Sequence, residues 1–378
     1  AYQLLVASYK PDTSDTGAIQ TLKLSLGLTS DNSSNTLKIV HENHDCGSQP
    51  TWLDISLGNN LVACLDEAAS SLHDGLIIFK IKLDGSLEKV SSTSVFGGPV
   101  SMITYNNKSA VALAHYSPPS ISTFTVNPNK SYTPLQNFTF SLPLDPTIVS
   151  STKSLIHQAV LDPTGQYVVF PDLGADLIRV YCIDPGNGML TEHTPLQSKR
   201  GYGPRHATFW SSGDASSIYM FVIHELSNKI LSYEVGYPEL GGLTFYETDE
   251  VSTYGDREVP IGSKAAELLL SPDNNYLVVS NRNGSMFDAP NPDPNNSTTL
   301  PSDSLATFRL SVAGKLTFVQ LAPTGGSFPR HFSMNNDGSL IAVANQNTFN
   351  VNVYSRNVET GIIDDLVASS SNLGPGSL

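Results

Sequence analysis

Charge is scarce in this sequence, and basic charge is scarcest. Only 15% of the 378 residues are Asp, Glu, Lys or Arg, and 21 basic residues stand against 35 acidic ones. So little charge excludes a charge-rich disordered chain and a long coiled coil. The net charge of −14 argues against nucleic acid and anionic membrane surfaces as partners. No apolar run reaches the ~18 residues that span a membrane, so we expect no membrane segment.

Motifs for metal and nucleophilic chemistry are also missing. The sequence contains no HExxH, no EF-hand loop, no C-x₂-C pair and no G-x-S-x-G elbow. We therefore expect no metal, no other cofactor and no acyl-enzyme on a serine.

Cysteine is rare, with three residues in the chain. Cys46 and Cys64 lie in one repeat, which makes them the expected disulfide in an oxidising compartment. Cys182 lies in an apolar strand and is expected to stay a buried free thiol. The alternative, three free thiols, stays open because spacing does not fix disulfide geometry.

The compartment is indicated by seven N-x-Ser/Thr sequons. Together with few lysines and a first residue, Ala1, that is not Met, they favour a secreted, extracellular glycoprotein. Asn283 is set aside because it follows Arg282, which we place near a pocket. N-linked glycans in loops or turns are predicted at Asn32, Asn107, Asn129, Asn137, Asn295 and Asn296.

A repeated hairpin dominates the sequence. An apolar run, a turn of Asp, Asn, Pro or Gly, and a second β-rich run recur most clearly at 161–172, 270–282 and 334–346. Weaker copies occur at 55–67, 103–116 and 209–225, and the opening segment resembles an incomplete seventh copy. Seven units average about 54 residues each. Helical periodicity is nearly absent, and a third strand usually follows each hairpin.

These repeats predict an all-β fold, a seven-bladed β-propeller of four-stranded antiparallel blades, in a single domain over residues 1–378. Because the N-terminal copy is incomplete, we expect N- and C-terminal strands to share one blade and close the ring.

Hairpin symmetry predicts where polar side chains meet. Residues opposed across a hairpin are symmetric about its turn, which pairs His157 with Asp172 and Arg205 with Glu225. The same arithmetic pairs Glu267 with Arg282, Arg330 with Gln346, Trp52 with Asp66, and Ser101 with His115.

All six hairpins therefore place polar or aromatic residues at one end of the channel, a mouth that we expect to be solvent-filled. The ionisable set there is His157, Arg205, His206, Glu225, Glu267, Arg282, Arg330 and His331. Three arginines favour a small anionic or oxygen-rich ligand. The alternative is that these side chains pair with one another and only seal the ring.

Four of these segments resemble a known family. They are IHQAVLDPTGQYVVFPDLGADLIRVY, GPRHATFW followed by HELSNKILSYEV, AELLLSPDNNYLVVSNR, and FPRHFSMNNDGSLIAVANQ. Together they are similar to the seven-bladed propeller lactonases, which include bacterial 6-phosphogluconolactonase of the propeller type and fungal 3-carboxy-cis,cis-muconate lactonising enzyme. The segment with Arg330 is more similar to the phosphogluconolactonase branch. Loops 211–217 and 286–304 depart from the family pattern, and the second is a possible lid or rim of the pocket.

The resemblance implies a catalytic histidine, two arginines and a glutamate at His157, Arg205, Arg282 and Glu225. His157 would be the general base, and the arginines would stabilise the oxyanion. Glu225 would either orient a neighbour or supply the proton. The remaining residues, His206, Glu267, Arg330 and His331, are expected to bind substrate.

Three functions remain open at this stage. The first is hydrolysis of a sugar aldonolactone, which suits secretion better than a phosphorylated sugar. The second is the reverse chemistry, carboxy-cis,cis-muconate lactonisation. The third is a secreted or cell-surface binding propeller without activity, since fold does not imply function.

Overall fold

The computed structural model describes residues 2–27, 34–69, 74–140, 153–212, 217–291 and 296–374. These residues form seven antiparallel sheets and one small hairpin, with no helix among them. Consecutive sheets pack face to face in chain order, which confirms the predicted seven-bladed β-propeller. Within the described part there is accordingly no helix able to cross a membrane.

The sheets follow one another along the chain. The first contains β1 (Tyr2–Ser8), β2 (Ala18–Ser25) and β3 (Thr36–Asn43); the second β4 (Pro50–Asp54), β5 (Leu61–Asp66), β6 (Asp74–Ile81) and β7 (Leu87–Ser94); the third β8 (Pro99–Tyr105), β9 (Ala110–His115), β10 (Ser120–Val126) and β11 (Tyr132–Thr139). The fourth contains β12 (Val160–Leu161), β13 (Tyr167–Asp172), β14 (Leu177–Ile183) and β15 (Leu190–Gln197); the fifth β16 (Pro204–Ser211), β17 (Ile218–His224), β18 (Lys229–Gly236) and β19 (Thr244–Ser252). The sixth contains β20 (Lys264–Leu270), β21 (Tyr276–Arg282), β24 (Ser304–Leu310) and β25 (Leu316–Pro323), with the hairpin β22 (Phe287–Pro290) and β23 (Thr299–Ser302) inserted; the seventh contains β26 (Pro329–Met334), β27 (Leu340–Asn345), β28 (Asn350–Arg356) and β29 (Ile363–Ser370).

Burial explains why these runs form sheets. Every residue of β5, β9, β13 and β21 is buried, because both faces of a second strand pack against neighbouring blades. The fourth strand β7 has no buried residue and is mostly polar. In the turns between first and second strands of the fourth and seventh sheets, glycine takes the positive φ, at 70° for Gly165 and 72° for Gly338. In the turn with Gly165, Asp162 accepts backbone N–H bonds from Thr164, Gln166 and Tyr167.

The ring closes by packing between the first and seventh sheets. Val6 and Leu22 form one apolar cluster with Val351, Val353 and Leu373. The first sheet has three strands among the described residues and contains no C-terminal strand there. β1 is followed by a loop at the pocket end, as β5 and β17 are, so it occupies the position of a second strand. Unlike those strands, its beginning is exposed.

A disulfide adds a covalent link at this side of the ring. Cys46, just after β3, is bonded to Cys64 in β5, so the bond joins the first sheet to the second. Cys182 is a free, half-buried thiol in β14.

The innermost strands share a feature that the hairpin arithmetic did not contain. In four sheets the pairing register shifts at a residue that follows proline, so this residue forms a β-bulge. The four bulge residues are Thr51, Val100, Arg205 and Arg330. In β20 the corresponding shift skips Ala266 and Glu267. Proline suits these positions because it has no N–H to contribute to the ladder.

The observed register corrects all six predicted pairs, and each bulge accounts for one residue of the displacement. The His157–Asp172 arithmetic matches the short ladder of Val160 with Val169, which shares its midpoint, but Asp172 itself lies opposite Ile156. Elsewhere the register is displaced by one to three residues: Arg282 lies opposite Lys264 rather than Glu267. The remaining observed pairs are Pro204 with His224, Pro329 with Asn345, Pro50 with Asp66, and Pro99 with His115.

The two unusual loops lie away from the pocket where they are described. Met286 and Phe287 pack against the apolar cluster of the sixth sheet, and the Arg257 guanidinium lies 5.9 Å from the Phe287 ring centre. None of the described residues of 286–304 lines the cavity, so the lid or rim interpretation is not supported by them. Residues 213–216 of the other loop lie outside the described ranges.

The described sequons are exposed. Asn107, Asn129 and Asn296 lie outside strands, whereas Asn137 lies in the outer strand β11, contrary to the expectation that all occupy loops. Asn32 and Asn295 lie outside the described residues.

Candidate active site

A cavity of about 680 Å³ opens at the end of the channel where the predicted residues meet. Its lining includes all four bulge residues, Thr51, Val100, Arg205 and Arg330. The bulges therefore aim one side chain from each of four blades into the same space. His157, His206, Glu267 and His331 also line it, and further polar residues lie elsewhere on its wall, namely Gln3, Ser333, Asn335, Asn336 and Asp337. From this site the cavity continues along β1, beside which no inner strand is described.

Glu225 connects the two catalytic arginine candidates. Its Oε2 lies 2.8 Å from Arg282 Nη2 and 3.2 Å from Arg205 Nε, while Lys264 Nζ lies 3.4 Å from Oε1. The contact with Arg205 Nε is a charge contact without hydrogen-bond geometry. Burial alone would raise the pKa of Glu225, but the two guanidinium groups outweigh it and lower the pKa. Glu225 is therefore a carboxylate that orients the arginines, which disfavours its alternative role as a proton donor.

The arginines are buried rather than placed in a solvent-filled mouth, and this corrects the sequence expectation. Arg205 is 2% exposed and Arg282 5%. Arg205 Nη1 donates to the Ala266 carbonyl at 2.8 Å, and Arg282 Nη2 donates to the Ala265 carbonyl at 3.0 Å. Burial lowers the pKa of Arg205 to about 9, with the charge of Arg282 contributing. The group still carries its charge at neutral pH.

Three histidines and one glutamate form a chain along the cavity wall. His157 Nδ1 lies 3.1 Å from His206 Nε2, and His206 Nδ1 lies 2.9 Å from Glu267 Oε1. His331 Nδ1 lies 2.8 Å from the second oxygen of Glu267. Burial lowers the pKa of His157 well below its ordinary value, and Arg205 adds to the effect. His157 Nε2 has no hydrogen-bond partner among the described residues.

Aromatic rings hold this chain in place. The edge of Trp52 meets His206 and His331 at centroid distances of 6.1 and 6.2 Å, and Tyr116 meets His157 at 5.7 Å. Trp52 thus reaches the site as predicted, although its ladder partner is Leu65 rather than Asp66.

Arg330 belongs to a second polar group on the same cavity. Its Nη1 donates to Tyr9 Oη at 2.9 Å, and Tyr9 donates onward to Glu67 Oε2 at 2.8 Å. Thr51 Oγ1 also donates to Glu67, at 3.1 Å. Arg330 Nη2 lies 3.6 Å from the same carboxylate. This group orients Arg330 from the first and second blades.

The sequence missed Tyr9, Glu67 and Tyr116. Each directly follows a second strand, as Glu225 does after β17. Searching the residue after every second strand would have found all three.

Three predicted channel residues instead have structural roles. Asp66 accepts backbone N–H bonds from Ser48, Gln49 and Ala68. Asp172 pairs with Arg179, whose Nη2 lies 2.8 Å from its Oδ2. His115 is fully buried, with Nδ1 3.0 Å from the Gly97 carbonyl.

No set of three His, Cys, Asp or Glu side chains in the described part of the chain is grouped to hold a metal ion. The lining of the cavity combines the imidazole of His157, whose pKa is lowered by burial, with the carboxylate-paired guanidinium group of Arg205. Such a set can accept a proton from water and stabilise a developing oxyanion. A propeller with this set at one end of its channel has the features of a hydrolase for small carbonyl substrates.

The particular family follows from comparison with known proteins. Residues 3–376 match the family described as "Lactonase, 7-bladed beta-propeller", so this chain belongs to that family of lactone-hydrolysing enzymes. A probable 6-phosphogluconolactonase of Arthroderma benhamiae is 29% identical over 333 residues, which cover 88% of this chain and 79% of that protein. A 6-phosphogluconolactonase of Formosa agariphila is 26% identical over 325 residues, covering 84% of each. The family resemblance and the lactonase class predicted from the sequence are thereby confirmed.

Solved structures support the fold. The periplasmic gluconolactonase of Pseudomonas aeruginosa has a TM-score of 0.77 at 21% identity, covering 100% of this chain and 97% of that chain. A putative 6-phosphogluconolactonase of Bacteroides fragilis has a TM-score of 0.74 at 22% identity, covering 97% of each chain. At these identities the likeness concerns the propeller itself.

Proposed function

We propose that this protein is a secreted lactonase that hydrolyses a sugar aldonolactone at the channel cavity. The observation that carries the proposal is the position of His157 on the same cavity wall as Arg205, with no hydrogen-bond partner for its Nε2 in the described part of the chain. Burial lowers the pKa of this histidine, which favours the uncharged imidazole. Water attacks the lactone carbonyl carbon while His157 Nε2 takes its proton. Arg205 stabilises the tetrahedral oxyanion. The ring C–O bond then breaks, and the leaving alkoxide takes the proton back from His157.

The charge balance supports an uncharged sugar lactone. Arg205 and Arg282 share Glu225, and Arg330 is paired with Glu67. With Lys264 and Glu267 included, four cations stand against three carboxylates among these described residues. A phosphate dianion or a tricarboxylate would need more unpaired positive charge than this set provides. The Pseudomonas relative, named a periplasmic gluconolactonase, agrees with such a substrate.

Secretion is supported by different features. The exposed sequons at Asn107, Asn129, Asn137 and Asn296 can be glycosylated, and a disulfide suits an oxidising compartment. Expression through a eukaryotic secretory route should give a mass above 40.6 kDa that falls on treatment with an N-glycosidase. A mass equal to the bare chain before treatment would contradict this part of the proposal.

The decisive experiment is acid release from glucono-, galactono- and cellobionolactone, measured above the buffer rate. His157→Ala is the matched control, and 6-phosphogluconolactone is the competing substrate. We expect wild type to act on an unphosphorylated lactone and the variant to lose that activity. Equal rates in both proteins would refute the lactonase site. Binding of the product acid without turnover would favour a binding propeller, and consumption of a carboxymuconate would favour the lactonising reaction.

A further inference from the structure

We infer that Glu267 is a positioning residue that acts through His206, fixing the proton of His157 on Nδ1 and leaving Nε2 as the unprotonated acceptor of a ring that lines the cavity. The inference assigns a role to two residues for which substrate binding alone was expected. Its catalytic consequence rests on the proposed function, whereas the proton positions do not.

The Glu267 carboxylate contacts one histidine with each of its oxygens. Burial alone would raise the pKa of Glu267, but the interactions with His206 and His331 outweigh it and lower the pKa. An ionised carboxylate only accepts hydrogen bonds. His206 Nδ1, 2.9 Å from Oε1, must therefore carry a proton and donate it. The backbone N–H of Leu268 also donates to Oε1, and His331 holds Oε2. The carboxylate is thus fixed at both oxygens.

The other ring nitrogen of His206, Nε2, is a hydrogen-bond acceptor. Burial lowers the pKa of His206 to about 4, so the ring is neutral near pH 7. A neutral imidazole with a proton on Nδ1 has a lone pair on Nε2. Arg205 Nη1, which can only donate, lies 3.3 Å from that atom. A proton on Nε2 would oppose this guanidinium, so Arg205 reinforces the assignment made by Glu267.

His157 donates a hydrogen bond to this acceptor. Its Nδ1 lies 3.1 Å from His206 Nε2, and two lone pairs cannot face each other at this distance. His157 Nδ1 therefore donates, and the neutral ring keeps its lone pair on Nε2. The charged groups that act on His157 from the surrounding blades are Arg205, Arg282 and Arg330, all of which disfavour imidazolium. A base at this position is consequently available without prior deprotonation.

The proton positions can be measured without any substrate. In wild-type protein with ¹⁵N-labelled histidine, long-range ¹H–¹⁵N correlations distinguish a protonated pyrrole-type nitrogen from an unprotonated pyridine-type one. His157→Gln and His206→Gln assign the two rings by loss of their signals. We expect both rings to be protonated on Nδ1 at pH 7. A proton on Nε2 of either ring would overturn the inference, even if the protein is an active lactonase.

Two substitutions at His206 test the consequence for catalysis. His206→Gln places an amide oxygen near the former Nε2, where Arg205 holds it as an acceptor, whereas His206→Phe removes the acceptor. We expect kcat for the lactone to stay within about threefold of wild type in the glutamine variant. In the phenylalanine variant kcat should fall at least about tenfold, with KM nearly unchanged. Equal loss in both variants would overturn the inference.

A double-mutant cycle isolates Glu267. Glu267→Met keeps the side-chain length and removes the acceptor, so kcat should fall at least about tenfold in the wild-type background. In the His206→Gln background the same change should cost less than about threefold, because glutamine cannot change tautomer. Equal effects in both backgrounds would indicate a structural role only and overturn the inference. If wild type hydrolyses no lactone, the proposed function fails while the labelled-histidine measurement still decides the proton positions.

Discussion

Replacing Arg205 with methionine tests whether this arginine is as deeply integrated into the fold as its contacts indicate. The change leaves the buried Ala266 carbonyl without the donor that now lies 2.8 Å away. An unsatisfied buried group costs about 1–3 kcal/mol. Glu225 also loses one guanidinium but keeps Arg282 at 2.8 Å and Lys264 at 3.4 Å. The loss of this contact should therefore cost only part of the about 3–5 kcal/mol of stability that is lost when a whole buried ion pair is broken.

The free energy of unfolding should consequently fall by about 2–4 kcal/mol. Urea denaturation followed by tryptophan fluorescence measures this quantity, and turnover of the preferred lactone is measured on the folded fraction. Turnover should fall about 10²-fold or more, the scale for losing one oxyanion donor.

The matched control is Arg330→Met. Arg330 is a bulge residue of the same kind, but its side chain is 18% exposed and its partners are the side chains of Tyr9 and Glu67. Water can replace such contacts, so this variant should lose less than about 1 kcal/mol. If the free energy of unfolding of Arg205→Met lies within about 0.5 kcal/mol of the wild-type value, the contacts of Arg205 with Ala266 and Glu225 do not stabilise the fold as described.

The remaining predictions concern the base, the response to acid and the thiols. His157→Gln should lower kcat by about 10²–10⁴-fold and leave the calorimetric affinity for product acid within about threefold; unchanged turnover would exclude His157 as the base. Burial lowers the pKa of His115 to about 4, so below pH ~6.5 the unfolded chain binds more protons than the folded one. As the pH falls below this value, the free energy of unfolding should decrease by up to about 1.4 kcal/mol per pH unit for each such buried histidine. His115→Gln should make this slope shallower, and denaturation midpoints that do not move between pH 7 and 5 would contradict the reasoning. Denatured, unreduced protein should show one reactive thiol, that of Cys182, whereas three would mean that Cys46 and Cys64 are not bonded.

Much of the propeller could be predicted from the sequence because its signals are local. The run from Leu161 to Asp172 contains an apolar segment, an Asx turn and a second apolar segment within twelve residues. A period of two together with turn residues is sufficient to identify such a hairpin. Glu225 was placed at the correct end for the same reason, since it directly follows a second strand.

The register near the cavity could not be obtained in this way. Symmetric counting is already displaced on the turn side of a bulge, where Trp52 lies opposite Leu65 rather than Asp66, and the bulge adds one residue more. The prolines before Thr51, Val100, Arg205 and Arg330 were the available signal for the bulges. Proline removes a ladder donor, and its recurrence at the start of four inner strands marks this part of the shift.

Contacts between blades were also beyond the sequence. Arg205 meets a carbonyl 61 residues further along the chain, and Arg330 meets the Tyr9 hydroxyl across 321 residues. Such partners depend on how neighbouring sheets stack, which hairpin counting does not describe. This is why the arginines were expected in solvent and are instead buried.

The proline-preceded bulges have a consequence for how this scaffold can acquire new specificity. A residue outside the ladder contributes its side chain to the cavity without taking part in strand pairing, and Thr51, Val100, Arg205 and Arg330 are four such positions around one cavity. The two uncharged members lie in neighbouring blades, and the two arginines have carboxylate partners of their own. A combinatorial library confined to Thr51 and Val100 would therefore vary the neutral side of the cavity and keep Arg205 with its partners, while the Thr51 bond to Glu67 is lost wherever position 51 has no donor. In such a library, the range of accepted substrates would depend on the residues at these two positions.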